Sequence, residues 1–215
     1  MSLARKISDK ISEQDYLDGE LISEVKHEYI DGFVYAMAGA SENHDRISQN
    51  ISYQFGDALR KQKLPCDVFS SDMKIRISSH STQYFYPDTS IVCGKHEHDT
   101  EYYKHSPVIL IEVLSDSTRK ADKTTKKLSY FNIPTLQEYV TIEQRFCEIV
   151  VFRRKNDWKS DFYFLGDSIT FESIGVALSV EDIYYRVDNG EMVAYWQNKE
   201  QKEQPHSAPF ESTED

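Results

Sequence analysis

The run Val108-Ile-Leu-Ile-Glu-Val-Leu114 constrains the fold more than any other stretch of the chain. Six apolar side chains in near-continuous succession suit a strand covered on both faces, because a strand with one wet face alternates apolar and polar residues. Such a strand belongs inside a sheet with a layer packed on each side. The next segment, Ser117 to Asn132, reads as a helix ended by Ile133-Pro134, and Glu138-Tyr-Val-Thr-Ile reads as another strand. Strand, helix, strand in that order makes a crossover unit with parallel partners.

The flanking segments supply the remaining elements. Ser12, followed by Glu13 and Asp15, can cap a short helix within residues 1–26. Asp31-Gly32 sits between strand-like runs and readily takes the positive φ angles of a two-residue hairpin turn. A helix is expected to start at Ser41, with Ile47, Ile51, Phe55, Ala58 and Leu59 at helical spacing as far as Leu64-Pro65. Short β-rich runs follow at Cys66 to Phe69, Met73 to Ile77 and Thr89 to Cys93. Glu148 to Arg153 and Trp158 to Leu165 flank a turn at Lys155-Asn-Asp157, and Ser179-Val-Glu-Asp suits the cap of a short helix. These elements predict a mixed α/β fold, a central mixed sheet flanked by helices with an N-terminal helix and hairpin and a late hairpin. One domain over 1–196 is expected to precede an acidic, disordered tail over 197–215, where apolar residues are scarce.

Composition limits the functions available. The chain has 25 Lys+Arg against 36 Asp+Glu, a formal charge of -11, so binding nucleic acid by blanket phosphate neutralisation is disfavoured and any such contact must be local. No apolar run approaches the roughly 18 residues of a membrane span, and the leading residues build no secretory signal. A cytoplasmic protein with no membrane partner is the expectation. Cys66, Cys93 and Cys147 lie far apart and form no C-x-x-C pair, so they are expected to be small buried residues in a reducing compartment.

Several side chains stand out chemically. Glu112 is a lone carboxylate among six apolar neighbours. Left ionised and unpaired in a core it would cost several kcal/mol, so it must be neutral, ion-paired or bound to a cation. Asp88 follows Pro87 at the head of a strand, where its side chain can face a cleft or merely serve a turn. Two carboxylates converging from neighbouring strands are a sufficient protein contribution to a Mg²⁺ or Mn²⁺ site, since such ions keep several waters. The segment 117–127 holds Arg119, Lys120, Lys123, Lys126 and Lys127 against one acid, Asp122, and is the one concentrated basic stretch. It could dock a phosphate or be a solvated helix. Asp122, Lys126 and Tyr130 recur every four residues and share a helix face. His44 can reach the cleft or pack against the sheet, and Tyr130 reads as a core anchor. Asp72 suits a cap or a hydrogen bond near the site. His96-Glu-His98 lacks a third spaced ligand and reads as a solvated loop, while Trp158 and Trp196 suggest no base-stacking pattern.

Pro87-Asp88, Glu112-Val-Leu-Ser, Asp122-x-x-x-Lys126-x-x-x-Tyr130 and Ile133-Pro134-x-Leu-Gln-Glu-Tyr139 together resemble the Uma-two family. Tyr16-Leu, Lys26-His-Glu28-Tyr-Ile-Asp-Gly, Tyr35-Ala-Met-Ala-Gly-Ala-Ser and His44-x-x-Ile extend the resemblance over about residues 12–185. The family is assigned to the restriction-endonuclease-like PD-(D/E)XK superfamily, mostly Mg²⁺-dependent nucleases. The resemblance implies Asp88 and Glu112 as catalytic acids and metal ligands, with Mg²⁺ or Mn²⁺ as cofactor. Leu114 stands where the superfamily lysine belongs, and the resemblance implies that Lys126 replaces it from the helix. Lys127 points roughly 100° away around that helix and ranks below it. Glu28 is a further acid that could orient a second water or metal, pair with Lys26 or serve the turn. The implied partner is nucleic acid, DNA before RNA, met by a two-fold pair of chains. The alternative is a non-catalytic module of the same fold that binds nucleic acid or protein.

Overall fold

The computed structural model describes residues 9–78, 82–97 and 99–203. The expectations placed on residues 1–8, on His98 and on 204–215 lie outside the described residues. Elements follow in the order α1 (Glu13–Glu20), β1 (His27–Ile30), β2 (Phe33–Ala36), α2 (Glu42–Gln62), β3 (Cys66–Ser70), β4 (Lys74–Ser78), β5 (Thr82–Phe85), β6 (Thr89–Cys93), β7 (Tyr103–Lys104) and β8 (Pro107–Leu114). A continuous helical segment comprises α3 (Arg119–Ala121), a π-helical turn (Asp122–Lys126) and α4 (Lys127–Phe131). It leads to β9 (Glu138–Glu143), β10 (Ile149–Arg153), β11 (Ser160–Tyr163), β12 (Ser168–Phe171), β13 (Val176–Ser179), α5 (Val180–Ile183) and α6 (Gly190–Glu203).

The apolar strand β8 lies inside a six-stranded sheet of order β11-β10-β9-β8-β6-β3. It pairs in parallel with β9, as a crossover requires, and antiparallel with β6. Successive residues of a strand face opposite ways, and here both faces are covered. Ile109, Ile111 and Val113 join Ile47, Ile51, Phe55 and Leu59 of α2 in one core cluster. Leu110 faces the other way, into a second cluster with Ile75, Phe85, Tyr130 and Tyr139. Glu112 shares that second face, so it points between the main sheet and a second, five-stranded sheet of order β2-β1-β5-β4-β7.

The second sheet takes its first hairpin from Asp31-Gly32, both in the positive-φ region at 53° and 95°. A Cβ on Gly32 would lie 2.5 Å from Lys10 Cγ, so space as well as backbone geometry selects glycine there. The far face of this sheet packs on α1, where Tyr16, Tyr29 and Tyr84 form an aromatic cluster and Tyr16 stacks on Tyr29 at 4.9 Å. Ser12 caps α1 by accepting from the Asp15 amide, Ser41 caps α2 by accepting from the His44 amide, and Ser179 caps α5 through the Asp182 amide, as their sequences imply.

Five features depart from the sequence reading or add to it. The second sheet joins two antiparallel pairs distant in sequence, β1–β2 and β4–β5, through β1 and β5, and adds β7 in parallel to β4. A further hairpin, β12–β13, carries Ile169, Phe171, Val176 and Leu178 into the main core. α6 continues through residues 197–203, because Met192 is buried and Tyr195 and Trp196 pack against the core, giving the stretch before it a docked face. Trp158 stacks on Phe131 at 4.1 Å. Finally, Cys66 and Cys93 form a disulfide, not two separate thiols. They face each other directly across the β3–β6 ladder, a proximity set by strand pairing that no local spacing reveals. Cys147 is free and buried, its thiol pushed up to about 12 by that burial. Denatured protein without reductant should therefore expose one titratable thiol per chain, that of Cys147, and reduced denatured protein three. Three thiols without reductant would contradict the cross-strand link.

Candidate functional site

Glu112 is buried, with 3% of its surface exposed, and its partners come from the helical segment behind it. The π-helical turn makes hydrogen bonds that skip one residue more than an α-helix does, which widens the coil and frees a carbonyl. The Asp122 carbonyl accepts a hydrogen bond from Tyr139 Oη at 2.9 Å. The turn leaves Asp122, Lys126 and Tyr130 buried on the inner face. Lys127 leaves in another direction, its Nζ lying 4.8 Å from the centre of the Phe152 ring.

Lys126 Nζ gathers three carboxylates from three elements. It lies 2.7 Å from Glu28 Oε1 of β1, 3.2 Å from Glu112 Oε1 of β8 and 3.5 Å from Asp122 Oδ1 of its own helix. Tyr130 Oη donates to the same Glu112 Oε1 at 2.8 Å, so Tyr130 is both a core aromatic and a ligand of the acid. Asp88 stands next to this group. Its Oδ2 accepts from the Val113 amide, the residue after Glu112, at 2.7 Å, and lies 3.3 Å from His44 Nε2. The first turn of α2 thus delivers His44 to Asp88. Asp88, Glu112, Lys126 and Glu28 are all brought together. Lys26 does not pair with Glu28; it pairs with Asp72 at 2.9 Å. His96 is an exposed loop residue whose Nε2 lies 3.0 Å from the Cys93 carbonyl.

The charges in this group do not balance. Burial pushes the Glu112 carboxyl well above the ordinary carboxylate range; Lys126 opposes that, while Asp122 and Asp88 add to it. Burial likewise raises Asp122, against the pull of Lys126. The Lys126 amine would be pushed down by burial, but Glu112, Glu28 and Asp122 more than offset this and hold it well above its usual value. His44 is also raised, since Asp88 outweighs the effect of its burial.

The hydrogen bonds described engage one oxygen each of Asp88 and Glu112, leaving a second oxygen on each for a cation. Both carboxylate oxygens of Asp122 are buried and accept no hydrogen bond. Thr118 stands near enough to ease the Asp122 charge without meeting hydrogen-bond geometry. Among the described residues no three His, Cys, Asp or Glu side chains converge tightly enough to cage a metal ion. Hard oxygen donors from two carboxylates nevertheless suit Mg²⁺ or Mn²⁺, which complete their shell with water and phosphate. Sequence reasoning undervalued Asp122, whose only signal was its four-residue spacing from Lys126 and Tyr130. It placed Arg119 in the basic stretch without its partner, Glu143 at the end of β9, with which Arg119 forms a bidentate ion pair.

This arrangement of sheets and crossover helix is a mixed α/β fold with a nuclease-like structural neighbour. The backbone superposes on a crystal structure described as "a putative nuclease belonging to DUF820" from Anabaena variabilis, with a TM-score of 0.62, 16% identity and coverage of 75% of this chain and 91% of that one. At that identity the likeness concerns the fold. The family described as "Uma2: Putative restriction endonuclease" matches residues 14–181, and the chain belongs to it. Two relatives from Synechocystis are named as uncharacterized proteins. Protein slr1290 is 34% identical over 177 residues, covering 81% of this chain and 92% of its own length. Protein sll1609 is 36% identical over 135 residues, covering 62% and 74%.

Removing the central amine tests the electrostatics. Lys126→Met leaves buried carboxylates unpaired and should destabilise the protein by about 3–5 kcal/mol near pH 8. The carboxyls of Glu112 and Asp122, already raised, then lose the amine that opposes the rise. A carboxyl with a raised folded-state pKa stabilises the fold below its unfolded value, about 4, and loses that contribution as pH rises. Thermal melts of Lys126→Met should therefore approach wild type on lowering the pH towards about 5. A deficit that is the same at both pH values would show that these acids carry no net charge strain.

Proposed function

We propose that this protein hydrolyses phosphodiester bonds of nucleic acid, DNA in the first instance, at the site formed by Asp88, Glu112 and Lys126. The observation that carries this reading is that the Lys126 amine sits on the Glu112 carboxylate while Asp88 is bonded to the amide of the very next residue. Leu114 cannot supply the cation that chemistry on a phosphate needs, and the helix supplies it instead.

Asp88 and Glu112 would hold a divalent cation, Mg²⁺ or Mn²⁺, through the oxygens not engaged within the protein. Bound there, such a cation acidifies water and offsets phosphate charge. The chain's own residues do the rest. Tyr130 and Lys126 fix the rotamer of Glu112, and the Val113 amide and His44 fix that of Asp88. Lys126 stays protonated at neutral pH and can donate to a water or to the negative charge that develops on the phosphate oxygens. Glu28 shares the amine and limits its direction. The apolar walls, including the Phe85 ring 5.7 Å from Lys126 Nζ, lower the local dielectric and strengthen each of these interactions.

The depth of Glu112 and Lys126 favours a second reading, a closed acid cluster in a module that binds without cutting. A plasmid-nicking assay separates the two. Wild-type protein with Mg²⁺ or Mn²⁺ should nick supercoiled DNA, Asp88→Ala and Glu112→Gln should nick none above buffer background, and Lys126→Met should lose roughly 10²–10³-fold in rate. Circular dichroism should show that each variant tested is folded. Equal residual cleavage in wild type and variants would reject the nuclease reading.

A further inference from the structure

Asp122 is the least explained charge in the molecule. Only 1% of its surface is exposed, and neither carboxylate oxygen accepts a hydrogen bond. Its one close cation among the described residues, Lys126 at 3.5 Å, stands nearer to Glu28 and Glu112. A carboxylate buried this way costs several kcal/mol relative to water, and an apolar residue of similar size would usually pack there at no such cost. The π-helical turn begins at Asp122 and ends at Lys126, so an irregular stretch of helix presents this pair. Asp122 also stands within electrostatic reach of His44, Asp88, Glu112 and Glu28. Asp122 is therefore an acceptor without a hydrogen bond on either oxygen, one of them 3.5 Å from Lys126, beside the acids that the proposed reaction uses.

Because among the described residues no three His, Cys, Asp or Glu side chains converge tightly enough to bind an ion directly, direct coordination by Asp122 does not fit. Acceptance through water does, since Mg²⁺ and Mn²⁺ keep several waters that need acceptors. Resting on the metal-site reading above, we infer that Asp122 is a positioning residue that accepts hydrogen bonds from water carried by a divalent cation at Asp88 and Glu112. No proton or bond changes hands in this role. The acid orients water and adds negative charge in the outer shell.

The test is calorimetric titration of the full-length protein with MnCl₂ alone, paired with thermal melts with and without Mn²⁺. Asp122→Asn keeps the shape and removes the charge; Asp122→Ala removes the acceptor. Both should bind Mn²⁺ about 10–100-fold more weakly than wild type, as loss of an outer-shell partner does. Their melting temperatures should rise less with Mn²⁺, and without metal should not fall below wild type, because an unsatisfied buried charge has been removed. Wild-type Mn²⁺ affinity in both variants overturns the inference and leaves the nuclease reading standing. Failure of both variants to fold also overturns it, by making Asp122 a structural partner of Lys126. Absence of Mn²⁺ binding by the wild-type protein overturns the metal site together with this inference.

Discussion

One ammonium group, that of Lys126, organises the interior. It faces Glu28, Glu112 and Asp122 at 2.7, 3.2 and 3.5 Å, with Asp88 beside them. At an effective dielectric of 20 a contact of about 4 Å is worth roughly 4 kcal/mol, which is comparable with the several kcal/mol each buried ion loses on leaving water. One amine, with the His44 imidazole beside Asp88, does not offset four acids. The remainder must be met by bound protons or by a cation, and this imbalance sets the group apart from an ordinary buried ion pair.

The fold holds the imbalance in place. β8 can carry Glu112 only because both of its faces are covered, with α2 on one side and the second sheet and crossover helix on the other. The alternation along β8 sends Ile109, Ile111 and Val113 to the first side and leaves Glu112 on the second. There β1 brings Glu28, the π-helical turn brings Asp122 and Lys126, and the residue after Pro87 brings Asp88. The three acids that touch Lys126 thus come from different elements, so forming the group reports correct packing of the two sheets.

Much of this was legible in the sequence because it is local. The central placement of β8, the parallel crossover, the Asp31-Gly32 hairpin and the Ser12, Ser41 and Ser179 caps follow from periodicity and cap chemistry. Glu112 announced its need for a cation by its neighbours alone. The choice of Lys126 came from the family likeness; helix spacing added only that it shares a face with Asp122 and Tyr130. What was not legible is non-local. The Cys66–Cys93 link depends on which strand pairs with which, the second sheet on hairpins meeting across the molecule, and the depth of Asp122 on the sheet that covers it. Lys26 pairs with Asp72, and Glu28 pairs with Lys126 brought by the distant helix, contacts that no local spacing reveals. The length of α6 was concealed by its polar composition, since only Met192, Tyr195 and Trp196 dock.

Anomalous X-ray diffraction from crystals grown in MnCl₂ addresses the central claim most directly. A peak between the Asp88 and Glu112 carboxylates, with Lys126 beside it, is the outcome that the proposed metal site predicts. An empty map there, with Lys126 alone bridging Glu28, Glu112 and Asp122, would mean that protons satisfy the acids and that the group is structural.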